Sequence, residues 1–145
     1  MDIRQITPEL SVAPQIEPEE VAQLAALGFR ALIDNRPDAE AGPERDSAAM
    51  AEAAKAAGLA FRYIPYEPGL LTDDLADAFG AALSELDGPV LAYCRSGTRS
   101  SHLWAMTEAG RRPIDEIVQM AAHAGYDHSG LLPTLQARAA QRRQA

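Results

Sequence analysis

The sequence has a single cysteine, Cys94, and a single lysine, Lys55, among its 145 residues. One cysteine excludes an internal disulfide framework and a zinc site built from several cysteines. No apolar stretch follows the opening Met1-Asp-Ile-Arg-Gln5, so no secretory leader is expected. No run approaches about 18 consecutive apolar residues, so no transmembrane helix is expected. The expected location is the cytoplasm, where a free thiol stays reduced. Internal repeats and long linkers are also missing. Basic charge is in short supply: 13 Lys and Arg stand against 21 Asp and Glu, for a net charge of −8. That balance argues against a nucleic-acid partner, which needs a basic footprint. No cofactor or metal is expected, because His123 and His128 have no ligand cluster around them.

What is present reads as globular protein. Hydrophobic residues make up 47% and charged residues 23%. The length suits one domain over residues 1–145. Such a chain buries roughly 68–70% of the surface it exposes when unfolded. The charge is unevenly spread. Met1 to Tyr93 carries 17 acidic and 6 basic residues, whereas Cys94 to Ala145 carries 4 and 7. The basic part begins at the only cysteine.

Punctuation by Gly and Pro divides the chain into alternating elements. Leu10–Ala13, Phe29–Ile33, Ala60–Ile64 and Val90–Tyr93 read as short strands. Val90–Tyr93 is continuously apolar, as in a strand covered on both faces. A helix is expected from Pro18 to Gly28, another over Ser47–Ala57, and another after Thr72 with Leu75, Phe79, Leu83 and Leu86 on one face. A polar loop is expected from Asn35 to about Asp46. Further helices are expected near Ser101–Ala109, over Ile114 to about Ala124, and from about Leu131. Residues 141–145 are expected to fray. The pattern is that of an α/β domain in three layers, with a mostly parallel sheet of about four to five strands and helices on both faces.

In such sheets ligands sit at the carboxyl ends of strands. Cys94 occupies such an end and opens the loop Cys94-Arg-Ser-Gly-Thr-Arg-Ser100. The loop can curl its N–H groups inward and, with the following helix N-terminus, form an anion cradle. Gly97 allows a backbone turn that a side chain opposes. Ser96, Thr98 and Ser100 add hydroxyls, and Arg95 and Arg99 add positive charge. These surroundings favour the thiolate, the nucleophilic form of cysteine. Cys94 and Arg99 are therefore the candidate catalytic residues. Arg95, Ser96, Gly97, Thr98 and Ser100 are candidate anion-binding residues. Asn35 and Arg36 follow a buried strand and are candidates for the border of the same pocket.

The loop resembles the active-site loop of rhodanese sulfurtransferases, Cys-Arg-x-Gly-x-Arg/Thr. It is also similar to the phosphate loop of cysteine-dependent phosphatases, but four residues separate Cys94 from Arg99 where those enzymes have five. The layout after Cys94, with Gly110-Arg-Arg-Pro-Ile-Asp-Glu-Ile opening a second helix, is similar to dual-specificity phosphatases. Ile6-Thr-Pro-Glu-Leu-Ser-Val-Ala13, the Asn35-Arg-Pro37 loop and Ala124-Gly-Tyr-Asp127 extend the likeness along the chain. As a whole it resembles the bacterial phosphatase-like sulfur transferases, the phosphatase-like domain of beta-lactamase hydrolase-like proteins. The resemblance implies a cysteine-dependent phosphatase-like fold. It also implies a persulfide-handling hydrolase or dioxygenase as partner, since members occur alone or fused to such enzymes.

The two chemistries differ in what they require. A phosphatase needs a loop wide enough for a tetrahedral phosphoryl group and an acid for the leaving oxygen. The family's acid loop corresponds to Ile64-Pro-Tyr-Glu-Pro-Gly69, which offers Glu67 as candidate general acid and no Asp. Sulfur transfer needs no such acid, and a shorter ring suits a persulfide. The expectation is a sulfurtransferase: Cys94 takes sulfane sulfur from thiosulfate or a glutathione persulfide and passes it to an external thiol or cyanide. Expected partners are therefore small sulfur-containing anions and low-molecular-weight thiols. A Cys94-dependent tyrosine or dual-specificity-type phosphatase is the alternative, and a weakly catalytic anion-binding or persulfide-sensing module is a third. His102 reads as a packing residue able to tune the thiolate. Trp104 and Met106 read as packing, and Arg138, Arg142 and Arg143 as a solvated helix face.

Overall fold

The computed structural model describes residues 1–144 of the chain. Strand β1 (Arg4–Thr7) turns back into β2 (Leu10–Ala13), and a 3-10 turn at Pro18–Glu20 leads into α1 (Val21–Ala26). Then follow β3 (Ala31–Asp34), α2 (Asp38–Ala41), α3 (Ser47–Ala57), β4 (Ala60–Tyr63) and α4 (Asp73–Glu85). The last elements are β5 (Val90–Tyr93), α5 (Thr98–Glu108), α6 (Ile114–His123) and α7 (Leu132–Gln144).

The strands form one sheet in the order β1-β2-β5-β3-β4, parallel except for the β1–β2 hairpin. β5 lies at its centre, and Val90–Tyr93 pairs in register with both Leu10–Ala13 and Ala31–Asp34. This explains the unbroken apolar run: every residue of β5 is buried. Its side chains alternate between two cores, Val90 and Ala92 on one face and Leu91 and Tyr93 on the other. The first core is closed by α4 to α7 through Phe79, Leu103, Trp104, Ile117 and Leu135. The second is closed by α1 and α3 through Val21, Leu24, Met50 and Ala54. The three-layer expectation therefore holds.

Several elements differ from expectation. β1 is an edge strand with only Ile6 buried, too little alternation to read. Asp38–Ala41 is helical where a loop was expected; four residues are too few to show a period. On α4 the fully buried positions are Ala76, Phe79 and Ala82, with Leu75, Leu83 and Leu86 at the margin. α5 starts at Thr98, three residues earlier than expected, because Gly97 takes φ +90° at the N-cap and admits the helix at once.

The C-terminal arginines are the clearest correction. Arg138 is buried, not solvated. Its Nε donates to Met106 O at 2.6 Å, and its Nη atoms reach Asp73 and Asp77 at 3.1 and 2.8 Å. Arg142 donates from Nη1 to Thr107 O and Ala109 O at 2.7 and 2.8 Å. Both thus satisfy carbonyls at the end of α5. This docking carries α7 through to Gln144 where fraying was expected, and Ala145 lies outside the described residues. Arg143 is exposed, as the solvated-face expectation has it. No helix among the described residues is long and apolar enough to cross a membrane.

Candidate active site

Cys94 follows the last residue of β5 and is fully buried. The ends of the flanking strands hold it. Cys94 N donates to Ala13 O at 3.4 Å, Gln15 N to Arg95 O at 3.3 Å, and Asn35 N to Tyr93 O at 2.8 Å. The loop then folds back so that Gly97 N–H points at Cys94 Sγ, 3.1 Å away.

The helix that begins one residue later has an open N-terminus. On α3 and α4 a side chain caps the first turn: Asp46 accepts from Ala49 N at 3.0 Å and Thr72 from Leu75 N at 3.1 Å. α5 has no such cap and no acidic residue in its first turn. Thr98 N donates to Ser96 Oγ at 3.4 Å, while the N–H groups of Arg99 and Ser100 and the positive end of the dipole stay available to an anion.

Arg99 supplies the fixed cation. Nη1 donates to Glu40 Oε2 at 3.0 Å and to Tyr66 O at 2.8 Å, and Nη2 donates to Glu40 Oε1 at 2.7 Å. A guanidinium has five N–H donors. Three are used, which leaves Nε–H and one Nη2–H as a parallel fork of the kind that grips an oxyanion side-on. Arg99 holds the Glu40 carboxyl below its ordinary value by hydrogen bonding, with burial opposing and the charges of Arg99, Arg36 and Arg95 helping.

Arg36 serves this anchor. Its Nη2 donates to Glu40 O at 2.7 Å and its Nη1 to Gln15 Oε1 at 3.1 Å, so it braces α2. Asn35 is likewise committed. It is wholly buried, its Nδ2 donates to Ile64 O at 2.8 Å, and its Oδ1 accepts from Ser100 Oγ at 2.8 Å. Side-chain contact with substrate was expected of Asn35, Arg36 and Ser100; the structure uses all three side chains to tie the loops together. Arg95 and Ser96 are exposed, and Thr98 is half-buried with its hydroxyl accepting from Ser96 Oγ at 3.1 Å. Glu67 is exposed, and among the described residues no hydrogen bond or ion pair joins its side chain to the Cys94 loop.

The residue that the 64–70 loop turns inward is Tyr66. It is buried, and the charges of both Arg99 and Cys94 reach its phenol. Burial, the larger influence, and the Cys94 charge raise its pKa, while Arg99 lowers it. Tyr66 Oη meets His102 Nδ1 at 3.2 Å. His102 packs edge-on against His128 at 4.9 Å, and burial, aided by His128, pushes its pKa down to about 4. His102 is therefore neutral near pH 7. Trp104 and Met106 are buried packing residues, as expected. Glu40 and Tyr66 are the site residues that sequence reasoning missed. Glu40 lay in the unread helix; the only available signal was an acid three residues past the Asn35-Arg-Pro37 turn.

A buried thiol at the end of a central parallel strand, an uncapped helix N-terminus and an anchored arginine define the class of cysteine-dependent phosphatase folds. The chain belongs to the family "Beta-lactamase hydrolase-like protein, phosphatase-like domain", which matches residues 2–111. It is 33% identical over 129 residues to a "Beta-lactamase hydrolase-like protein" of Xylella fastidiosa, covering 88% of this chain and 30% of the relative. The chain thus spans about a third of the length of the curated relatives it matches. Among solved structures it is similar to a "putative phosphatase" of Neisseria meningitidis, with a TM-score of 0.85 and 31% identity over 95% of this chain and 99% of that one. It also shares the fold of PTPMT1, with a TM-score of 0.76 and 12% identity, covering 98% and 96% of the two chains.

Proposed function

We propose that Cys94 is the nucleophile of a phosphatase-fold enzyme that hydrolyses phosphate esters of good leaving groups through a Cys94 phosphoenzyme. One observation carries the reading. Cys94 Sγ lies against the Gly97 N–H at the start of α5, and the charge of Cys94 acts on Arg99, whose Nε–H and one Nη2–H have no acceptor among the described residues. The likeness to the Neisseria protein supports it. The thiolate attacks phosphorus, the P–O ester bond breaks, and the oxygen leaves with the electron pair. Water then attacks phosphorus, the P–S bond breaks, and phosphate and the thiolate are released, with the proton of water going to solvent. The N–H groups and Arg99 stabilise charge on the non-bridging oxygens. Glu67 is exposed and no contact among the described residues holds it at the Cys94 loop, so on this reading aryl phosphates are expected to react and alkyl phosphates to lag.

A second reading, sulfur transfer, is favoured by loop spacing. α5 begins at Thr98 and Arg99 is the fifth residue after Cys94, which makes a tight ring. Here the thiolate attacks the outer sulfur of thiosulfate, a new S–S bond forms at Cys94, and sulfite leaves with the electrons of the broken S–S bond. An external thiolate or cyanide then takes the outer sulfur and restores the Cys94 thiolate. A second cysteine to resolve the persulfide is absent from this sequence, so the acceptor comes from outside. A persulfide-handling hydrolase or dioxygenase would be the matching partner.

One comparison tests both readings. The chain and Cys94→Ser are incubated with p-nitrophenyl phosphate, and separately with thiosulfate plus cyanide. Cys94-dependent release of nitrophenol supports the first reading. A mass gain of one sulfur on Cys94, with thiocyanate produced over many turnovers, replaces it with the second. Neither product sinks both and leaves an anion-binding module.

A further inference from the structure

The Ala124–Asp127 turn brings Tyr126 against the Cys94 loop from beyond the residues that the family matches. Two neighbours fix its ring. His128 stacks on it with centroids 6.3 Å apart and 24° between planes, and the Arg4 guanidinium lies 5.8 Å from the ring centre. Arg4 also donates from Nη1 to Ala124 O at 3.0 Å, which holds the turn itself. Tyr126 is 8% exposed, and its hydroxyl is buried with no hydrogen-bond partner among the described residues. That hydroxyl touches the loop: a methyl group on Gly97 would collide with Tyr126 Oη. Gly97 is also the residue whose N–H meets Cys94 Sγ.

A buried hydroxyl without a partner is unfavourable in the resting protein and calls for an occupant. Here the hydroxyl abuts Gly97 at the start of α5, and Cys94 is near enough for its charge to act on the phenol. We propose that Tyr126 is a substrate-binding residue of the Cys94 site, whose hydroxyl donates a hydrogen bond to the outer atom, sulfur or oxygen, of the anionic group held there. The proposal rests on the reading of Cys94 as the anion-handling nucleophile. Tyr126 keeps its proton for this purpose. Burial, the largest influence, holds the phenol above its ordinary value; Arg4 opposes it, and the smaller effect of the Cys94 charge adds to it. It is thus a neutral donor, complementing the cationic fork of Arg99.

The test is Tyr126→Phe in the full chain, with inorganic phosphate as probe. The concentration at which phosphate protects Cys94 from iodoacetamide is measured for both proteins, together with the melting temperature and turnover of the active substrate. The variant keeps the ring between its neighbours and removes only the orphaned oxygen. Its melting temperature should be equal or higher, while phosphate protection weakens roughly tenfold, the scale of one hydrogen bond to an anion. The kcat/KM should fall by a similar factor. Unchanged protection in Tyr126→Phe overturns the proposal, as does a native chain that phosphate does not protect. A native chain that is protected but turns over neither aryl phosphate nor thiosulfate defeats the proposed function alone, and the protection ratio still decides the role of Tyr126.

Discussion

Glu40 grips Arg99 through both carboxylate oxygens, at 3.0 and 2.7 Å, so the cation beside Cys94 is oriented before any anion arrives. The grip uses the end of the guanidinium and leaves its Nε edge open. Pre-orientation of this kind reduces the cost of ordering a long side chain during reaction. Two variants separate charge from shape. Arg99→Lys keeps the charge and loses the fork, and should lower kcat/KM by about 100-fold or more. Glu40→Gln keeps the shape and loses the ionic half of the contact, and should lower it roughly tenfold. Steady-state kinetics on whichever substrate proves active reads both. The anchor should also tolerate acid. Glu40 is held below its ordinary value near 4.5. Its contribution is therefore present above that value and fades only as pH falls through the lowered one.

Gly97 should resist substitution for two independent reasons. Its φ of +90° lies in the left-handed region, and an added methyl group would meet Tyr126 Oη. Gly97→Ala should destabilise the chain by about 1–3 kcal/mol in urea unfolding. It should also slow alkylation of Cys94, because the N–H that meets Sγ is displaced. A variant as stable as the native chain would show that the loop can relax and that the close contact has no energetic weight.

Legibility in the sequence followed element length and the number of constraints per residue. β5 was readable to the residue because four buried positions in a row leave little choice. α3 was equally clear, bounded by Asp46 and Gly58. The Cys94 loop was readable because Gly, Arg and hydroxyl residues crowd into seven positions. Long-range side-chain pairing was not readable. Nothing local indicates that Glu40 reaches Arg99 across 59 positions, or that Ser100 closes on Asn35 across 65. The C-terminal arginines misled for the same reason: an Arg-rich helix looks solvated until its carbonyl partners on α5 are known.

The Ser100–Asn35 contact is an expected stability determinant. Both residues are wholly buried, and Asn35 also joins β3 to the Ile64 carbonyl. Ser100→Ala leaves the Asn35 oxygen without its donor and should cost about 1–3 kcal/mol. Asn35→Ala frees both the Ser100 hydroxyl and Ile64 O and should cost more. Denaturant midpoints of the two variants check the order; the reverse order would place the contact outside the core network.

Arg138 joins three elements from within the core, with 6% of its side chain exposed. Its carboxylate partners Asp73 and Asp77 are largely exposed, with relative side-chain exposures of 51% and 68%. The buried share of its contribution is therefore the Nε bond to Met106 O. Arg138→Met should lose that bond while keeping the aliphatic stem, at roughly 1–3 kcal/mol. Asp77→Asn should cost well under 1 kcal/mol, as exposed pairs do. Equal losses in the two variants would reverse this ranking.

Two buried titratable groups should give opposite pH signatures. Burial pushes Asp34 up to about 7 from 3.8, with the charge of Asp38 adding and the hydrogen bond from Arg36 N opposing. The folded state then binds the extra proton. The contribution of Asp34 is full below about 4 and is lost as pH rises through 7. His102, pushed down to about 4 from 6.5, behaves in the reverse sense. Its unfolded form takes the proton first, so stability is full above 6.5 and is lost as pH falls toward 4. Asp34→Asn, which can still accept from Arg36 N, should therefore gain stability relative to the native chain as pH rises from 4 to 7. His102→Gln should gain relative to it as pH falls from 6.5 to 4. Each difference should change by roughly 1 kcal/mol per pH unit across its window. The loss of the Tyr66 contact in His102→Gln adds a constant offset and leaves the slope intact. Urea unfolding at four pH values between 4.5 and 7 measures both slopes. Two flat difference curves would mean that neither group titrates with folding.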